Sequence, residues 1–170
     1  MDPVFQRIID STKGDCLKCC ICSLFELDYN DVPNFVEYTR WYEMLVEFLK
    51  VRGYEIRYEY LHNTNTYYLE NPTAYCFETS NFVEEYSIER LKESPEFGIN
   101  GLFLASVYSP KFTSVYDHPI AHLHQVICDA DCNIVFDPNP EYKGIIEYPY
   151  ARLIGHNGIR AIDALLKLSA

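Results

Sequence analysis

A cysteine near the amino end of the chain has the residue type and the position of a nucleophile. Gly14-Asp15-Cys16 precedes an apolar segment with helical spacing, so Cys16 lies in the first turn of a predicted helix. A free thiol is mostly protonated at neutral pH, but the dipole and the free N–H groups of a helix start favour the thiolate. Cys16 is therefore the candidate nucleophile. The other thiols of this helix lie within it and are expected to pack as small apolar side chains.

A predicted β-hairpin supplies a base and a carboxylate. The segment Asp129-Ala130-Asp131-Cys132 is typical of its turn, and if the two central residues form the loop, His124 lies opposite Asp137. Side chains alternate along a strand, so the imidazole and the carboxylate share one face. A cysteine, a base and a group that orients the base together make a hydrolytic site. We expect His124 to be the base, with His122 as the alternative, and Asp137 to orient it.

The elements that position these residues are helices first and an antiparallel sheet afterwards, which is an α+β pattern. Asp15 is expected to cap a helix over residues 15–27, and Gly53 to follow the end of a helix over 35–52. Asn34 and Glu37 are suited to a capping box at the start of the second helix. The other predicted elements are strands over 54–60, 101–107, 122–129, 132–137 and 145–148, a short helix over 84–93 and a terminal helix over 159–168.

The bulk composition is that of one globular domain over residues 1–170. A net charge of −11 argues against double-stranded nucleic acid as a partner, because such binding depends on Lys and Arg neutralising phosphates. The first residues lack a signal pattern, and no apolar run approaches the ~20 residues of a membrane helix. We therefore expect a cytoplasmic protein without a membrane partner. Its 7 cysteines are clustered and odd in number, which favours reduced thiols.

Two pairs of cysteines leave a metal site open as an alternative. Cys16-x-x-Cys19 and Cys128-x-x-x-Cys132 have a spacing that structural zinc can use. The first pair opens an apolar helix and the second falls in a hairpin, so we expect no metal here. The thiol chemistry described above needs no metal and no organic cofactor.

Several of these residues together resemble a known family, the papain-like cysteine peptidases. The likeness is carried by Gly14-Asp15-Cys16 with the following Cys20, and by Asp31-Val32-Pro33-Asn34-Phe35 after the helix. It is closest to the peptidases that trim double-glycine leaders from bacteriocins and to small standalone phage and bacterial relatives. In that family a helix-start Cys is followed by a His with apolar residues on one strand and an Asp-Pro on the next. Here His124-Gln125-Val126-Ile127 and Asp137-Pro138 match.

The resemblance implies a papain-like fold and hydrolysis of a peptide or other amide bond in a peptide or protein substrate. The family usually places an oxyanion-hole Gln about six residues before the Cys, where this chain has Asp10. Gln6 is the nearest glutamine and takes that role if the residues before Cys16 bend towards the site. The alternative is a papain-like relative without catalysis, a binding or inhibitory protein such as a phage-encoded one that acts on a host partner.

Overall fold

A five-stranded antiparallel sheet with helices packed against it dominates the computed structural model, which describes residues 1–60, 98–113, 122–142, 147–149 and 151–168. The helices are α1 (Cys16–Phe25), α2 (Trp41–Val51) and the short α3 (Ala151–Ile154). The strands are β1 (Tyr54–Tyr60), β2 (Leu102–Tyr108), β3 (Leu123–Asp129), β4 (Ile134–Phe136) and β5 (Ile159–Lys167). This arrangement confirms the predicted α+β class.

The last strand lies inside the sheet, whose order is β1-β5-β2-β3-β4. The prediction of a terminal helix over 159–168 was therefore wrong. Every residue from Ile159 to Leu165 is buried, because β5 has a strand on each side and side chains packed on both faces. A strand buried on both faces has an almost continuous apolar run, which periodicity cannot distinguish from a buried helix.

Helix α1 is buried along most of its length and packs against β3, which explains its apolar sequence. Cys20, Ile21 and Leu24 join the core cluster that also contains Leu104 and Ile127 of the sheet. The helix ends at Phe25, two residues earlier than predicted, because Glu26 adopts a left-handed conformation with a φ of 55°. The site cysteine thus stands at the start of an element that the core holds firmly.

Helix α2 begins six residues later than predicted. Residues Phe35–Glu37 form a separate 3-10 turn, and the Asn34 side chain does not cap it. The Asn34 amide instead donates to the backbone oxygen of Lys13 at 3.0 Å, so the predicted capping box was wrong. The end of the helix agrees with the prediction, since Gly53 has a φ of 85° directly beyond it.

Two predicted elements fall largely outside the described residues. The helix over 84–93 lies entirely outside them, and of the strand over 145–148 only Glu147 and Tyr148 are described, neither in a strand. Within the described ranges, no helix has the length and apolar character needed to cross a membrane.

Candidate active site

The hairpin of β3 and β4 has a longer loop than the sequence suggested. The N–H of Asp129 donates to the oxygen of Asn133 at 3.0 Å, and Cys132 takes a left-handed conformation with a φ of 59°. The Asp129 carboxylate accepts the N–H groups of Asp131 and Asn133, both at 2.9 Å, which favours this three-residue loop. A register shift next to Cys128 then offsets the strands further. The predicted two-residue loop and its register were therefore wrong.

His124 and Asp137 nevertheless meet. Nε2 of His124 lies 2.7 Å from Oδ1 of Asp137, and the two side chains are only 7% and 5% exposed. Asp137 follows the last residue of β4, so it is outside the ladder whose register was mispredicted. The contact expected from the sequence is present, although the pairing used to infer it is not.

Both oxygens of the Asp137 carboxylate accept further hydrogen bonds. The backbone N–H of Asn139 donates to Oδ1 at 2.9 Å, and the hydroxyl of Tyr148 donates to Oδ2 at 2.7 Å. Three donors thus fix one carboxylate in one orientation. Sequence reasoning missed Tyr148, because its contact is long-range and no local pattern marks it.

The pKa of the His124 imidazole is shifted by its surroundings in the site. Burial lowers its pKa, but hydrogen bonds to Asp137 and to Cys16, together with their negative charges, outweigh burial and raise the pKa to about 9. Since Nε2 faces Asp137, Nδ1 is the nitrogen left for Cys16. Tyr142 packs its ring edge-on against the imidazole, with 6.1 Å between the ring centroids. The imidazole is therefore held by the Asp137 carboxylate and feels the Cys16 thiol electrostatically.

Cys16 differs from the other cysteines of α1 in exposure. It is the first residue of the helix and is partly exposed, whereas Cys19, Cys20 and Cys22 are fully buried. Burial raises the pKa of these three inner thiols, as expected for packed side chains. Asp15 occupies the N-cap position as predicted, but its side chain makes no capping hydrogen bond, so that part of the prediction was wrong.

The residues before Cys16 do bend towards the site. We call residues 1–14 the lead-in segment. Gln6 and Cys16 line the same cleft as His124, which has a volume of about 90 Å³. The backbone N–H of Gln6 donates to the oxygen of Pro138 at 2.8 Å, and its Nε2 donates to the oxygen of Ile8 at 3.2 Å. Oε1 of Gln6 is buried and has no hydrogen-bond partner in the described part of the chain.

His122 lines the same cleft but does not bond to the carboxylate. Its backbone N–H donates to Oγ1 of Thr113 at 3.2 Å, and its ring meets that of Phe112 edge-on with centroids 6.5 Å apart. Asp137 bonds to His124 instead. The geometry therefore favours His124 over His122 as the base.

The two pairs of cysteines considered for zinc do not form a metal site among the residues described. No group of three or more His, Cys, Asp or Glu side chains in that part of the chain is arranged to hold an ion. Cys128 and Cys132 are buried in an apolar cluster with Phe103 and Val126.

A second and larger cavity, about 850 Å³ in volume, lies beside the carboxylate. It is lined by Asp137 and Tyr148, and by Phe5 of the lead-in segment, but not by Cys16 or His124. Cys16, His124 and Gln6 line the smaller cleft instead, so it is the one that holds the candidate residues.

Comparison with family models, with curated proteins and with solved structures finds no match to this chain. The papain-like fold and the roles of the site residues therefore remain proposals, which depend on the motifs of the sequence and on the contacts described above.

Proposed function

We propose that the chain is a cysteine hydrolase of papain-like fold that cleaves a peptide or other amide bond. The single observation that carries the proposal is the position of His124, whose buried imidazole bonds to Asp137 and lines the same cleft as Cys16, close enough for the thiol to raise its pKa. A partly exposed thiol with this partner is suited to nucleophilic attack, and the fully buried thiols of α1 are not.

In the proposed reaction the proton of the Cys16 thiol passes first to Nδ1 of His124, in keeping with the raised pKa of that imidazole, and the sulfur then attacks the carbonyl carbon of the substrate. Asp137 stabilises the imidazolium that results. The imidazolium then gives the proton to the leaving amine as the C–N bond breaks, which leaves a thioester on Cys16. A water molecule, deprotonated by the neutral imidazole, attacks the thioester and releases the acid and the thiol.

The charge that develops on the substrate oxygen needs hydrogen-bond donors. The backbone N–H of Cys16 belongs to the first turn of α1, whose N–H groups have no partner within the helix. The Gln6 amide, which lines the same cleft, is the proposed second donor. The Gln6 N–H₂ group gives one hydrogen to the oxygen of Ile8, and its second hydrogen is the one available to the substrate oxygen.

The nucleophile is tested by alkylation with iodoacetamide at pH 7, with each cysteine followed by mass spectrometry. We expect Cys16 to react at least ten times faster than the buried thiols, because it is partly exposed and interacts with an imidazole. His124→Gln should slow the alkylation of Cys16, because the thiol then lacks the imidazole, and should leave the buried thiols as slow as before. Cys20→Ala, which alters a buried thiol of the same helix, is the matched control and should leave the Cys16 rate unchanged. If Cys16 reacts no faster than Cys20, the nucleophile is wrongly assigned.

The hydrolytic step is tested with a diverse pool of fluorogenic peptides. Cleavage by the native chain that Cys16→Ala abolishes would support the proposal. Reaction at Cys16 without cleavage of any peptide, together with a partner that binds the Cys16→Ala variant equally well, would favour the non-catalytic alternative.

A further inference from the structure

Asp15, the residue before the nucleophile, has a side chain with unusual surroundings. It is fully buried (0% exposed), yet it does not cap the helix that begins beside it. Its Oδ2 accepts the N–H of Arg7 at 3.2 Å and also the hydroxyl of Tyr29, and its Oδ1 accepts the N–H of Ile8 at 3.1 Å. One carboxylate thus joins the start of α1 to the lead-in segment and to the turn after the helix.

The bonds between Asp15 and Ile8 run in both directions. The backbone N–H of Asp15 donates to the oxygen of Ile8 at 3.3 Å, while the N–H of Ile8 donates to the Asp15 carboxylate. The same Ile8 oxygen accepts Nε2 of Gln6 at 3.2 Å. Asp15 therefore fixes the backbone of Ile8, whose oxygen accepts the hydrogen bond from the Gln6 amide.

The lead-in segment is also held from the opposite side of the cleft. The N–H of Gln6 donates to the oxygen of Pro138, the residue after Asp137. Within the segment itself the backbone turns tightly before Cys16, since a Cβ on Gly14 would be 2.7 Å from the backbone oxygen of Asp10. Gln6 is thus positioned relative to both the thiol and the carboxylate of the site.

A carboxylate is the group that this arrangement requires. It accepts two backbone N–H groups and a hydroxyl at once, whereas the amide of Asn would direct its own N–H₂ group at one of these donors. Burying a charge costs free energy unless its oxygens are bonded, and here both are. The cations of Arg7 and Lys18 lie over the Tyr29 ring, 3.9 and 3.6 Å from its centroid, which places positive charge near the cluster.

We propose that Asp15 is a positioning residue for the oxyanion side of the site, acting through Ile8 to hold the Gln6 amide in the cleft. This inference depends on the proposed hydrolase function, because it takes Gln6 to be an oxyanion donor. It makes Asp15 part of the catalytic machinery without any contact between Asp15 and the substrate.

The tether is tested by amide hydrogen exchange, which needs no substrate. In Asp15→Asn we expect the amides of Arg7 and Ile8 to exchange at least ten times faster than in the native chain. Tyr29→Phe is the matched control, since it removes the hydroxyl donor and leaves both backbone bonds in place, and it should change these rates less than threefold. Unchanged exchange in Asp15→Asn would overturn the proposal.

The link to Gln6 is tested with a short peptide aldehyde. The Cys16 sulfur adds to the aldehyde carbon and the thiol proton ends on the new hydroxyl, whose oxygen occupies the oxyanion position. We expect Asp15→Asn and Gln6→Ala each to weaken binding about tenfold, and the double variant to bind about tenfold and not a hundredfold more weakly. Losses that multiply would show that Asp15 does not act through Gln6, and the proposal would fail.

The failures of the two proposals are distinguishable. A native chain that forms no adduct with the aldehyde contradicts the hydrolase function, while the exchange rates of Arg7 and Ile8 still decide whether the tether exists. If Asp15→Asn does not fold, Ile8→Pro serves instead, because it deletes one donor from the partly exposed lead-in segment and leaves the buried carboxylate intact. In Ile8→Pro we then expect faster exchange of the Arg7 amide. We also expect aldehyde binding that is weaker than in the native chain and that Gln6→Ala does not weaken much further.

Discussion

Two aspartates with buried side chains, Asp137 beside the His124 imidazole and Asp163 in the middle of β5, have very different surroundings. Asp137 accepts hydrogen bonds from an imidazole, a backbone N–H and a phenol hydroxyl. Asp163 is 2% exposed, and its Oδ1 has no partner among the described residues. With the Gln125 amide assigned in the orientation that satisfies its neighbours, its nitrogen donates to the other oxygen of Asp163 at 3.1 Å. Burial raises the pKa of Asp163 to about 7, although the charge of Arg160 opposes the shift.

The difference shows what makes a buried carboxylate useful. Around Asp137 the chain has brought together enough donors to hold the charge and to orient a base with it. Around Asp163 it has not. Burying the charged form of this carboxylate therefore costs free energy of folding, and that cost appears as the group ionises near neutral pH. Convergence of donors, and not burial alone, therefore separates the candidate site from the rest of the core.

The largest expected effect comes from neutralising the well-bonded carboxylate. In Asp137→Asn we expect hydrolysis to fall about a hundredfold or more, because the imidazole loses the charge that orients and stabilises its protonated form. The leaving amine needs the imidazolium, so native activity should decline as pH rises through about 9, the pKa of His124. Without the charge of Asp137 that pKa falls, and the decline should move to lower pH. A pH–rate profile of the native chain and of Asp137→Asn measures both the rate and the pH at which it declines. If activity declines at the same pH in the two proteins, the role of Asp137 is contradicted.

The second effect concerns stability and the other aspartate. The pKa of Asp163 is raised from 3.8 to about 7 on folding, so the native chain should lose stability as pH rises from about 4 to about 7. The loss relative to Asp163→Asn is of order 4 kcal/mol at most. Urea unfolding of both proteins at pH 5 and pH 8 checks this. A difference in free energy of unfolding that does not change with pH would show that Asp163 is better bonded than it looks.

A smaller effect is expected from the donor that sequence reasoning missed. Tyr148→Phe removes one hydrogen bond to a buried carboxylate, which should cost about 1.5–3 kcal/mol of stability and reduce hydrolysis about tenfold. Tyr38→Phe, at an exposed tyrosine, is the control and should change neither quantity. Activity that is equal in the two variants would mean that Asp137 is oriented without Tyr148.

The smallest effect is expected when the hydrogen-bond donor next to Asp163 is removed. Gln125→Leu keeps the size of the side chain and deletes the donor that faces Oδ2, so the pKa of Asp163 should rise further. We expect a loss of about 1 kcal/mol at pH 8 and a smaller loss at pH 5. In an Asp163→Asn background the pH dependence of this loss should disappear. If it persists, the partner of Gln125 is another group.

The sequence predicted the site better than it predicted the sheet. The start of α1 at Cys16 and the meeting of His124 with Asp137 follow from helix spacing and from a short hairpin, which are local signals. The hairpin register was mispredicted because an Asp side chain stabilises a longer loop, and alternation of residues does not reveal that.

What the sequence could not provide comes from contacts between distant segments. The helical assignment of 159–168 failed because a strand with neighbours on both sides loses the alternation that identifies strands. Tyr148 and the Asp15 tether were missed for a related reason, since each bonds to a partner that only the folded chain brings near. Gln6 was found through a family resemblance, not through any local pattern.

The place of β5 in the sheet has a consequence for how the molecule assembles. Among the described strands, β1 and β2 are not neighbours, and β5, which follows both of them in the chain, lies between them. In a growing chain the edges of β1 and β2 that face β5 therefore lack this partner until Ile159–Lys167 has emerged, and open edges pair readily with other chains. Folding that depends on pairing between strands far apart in sequence, as β1 and β5 are, is slow. The step most exposed to aggregation should be the insertion of this one strand, and protection of β1 from hydrogen exchange should appear only when β5 is in place.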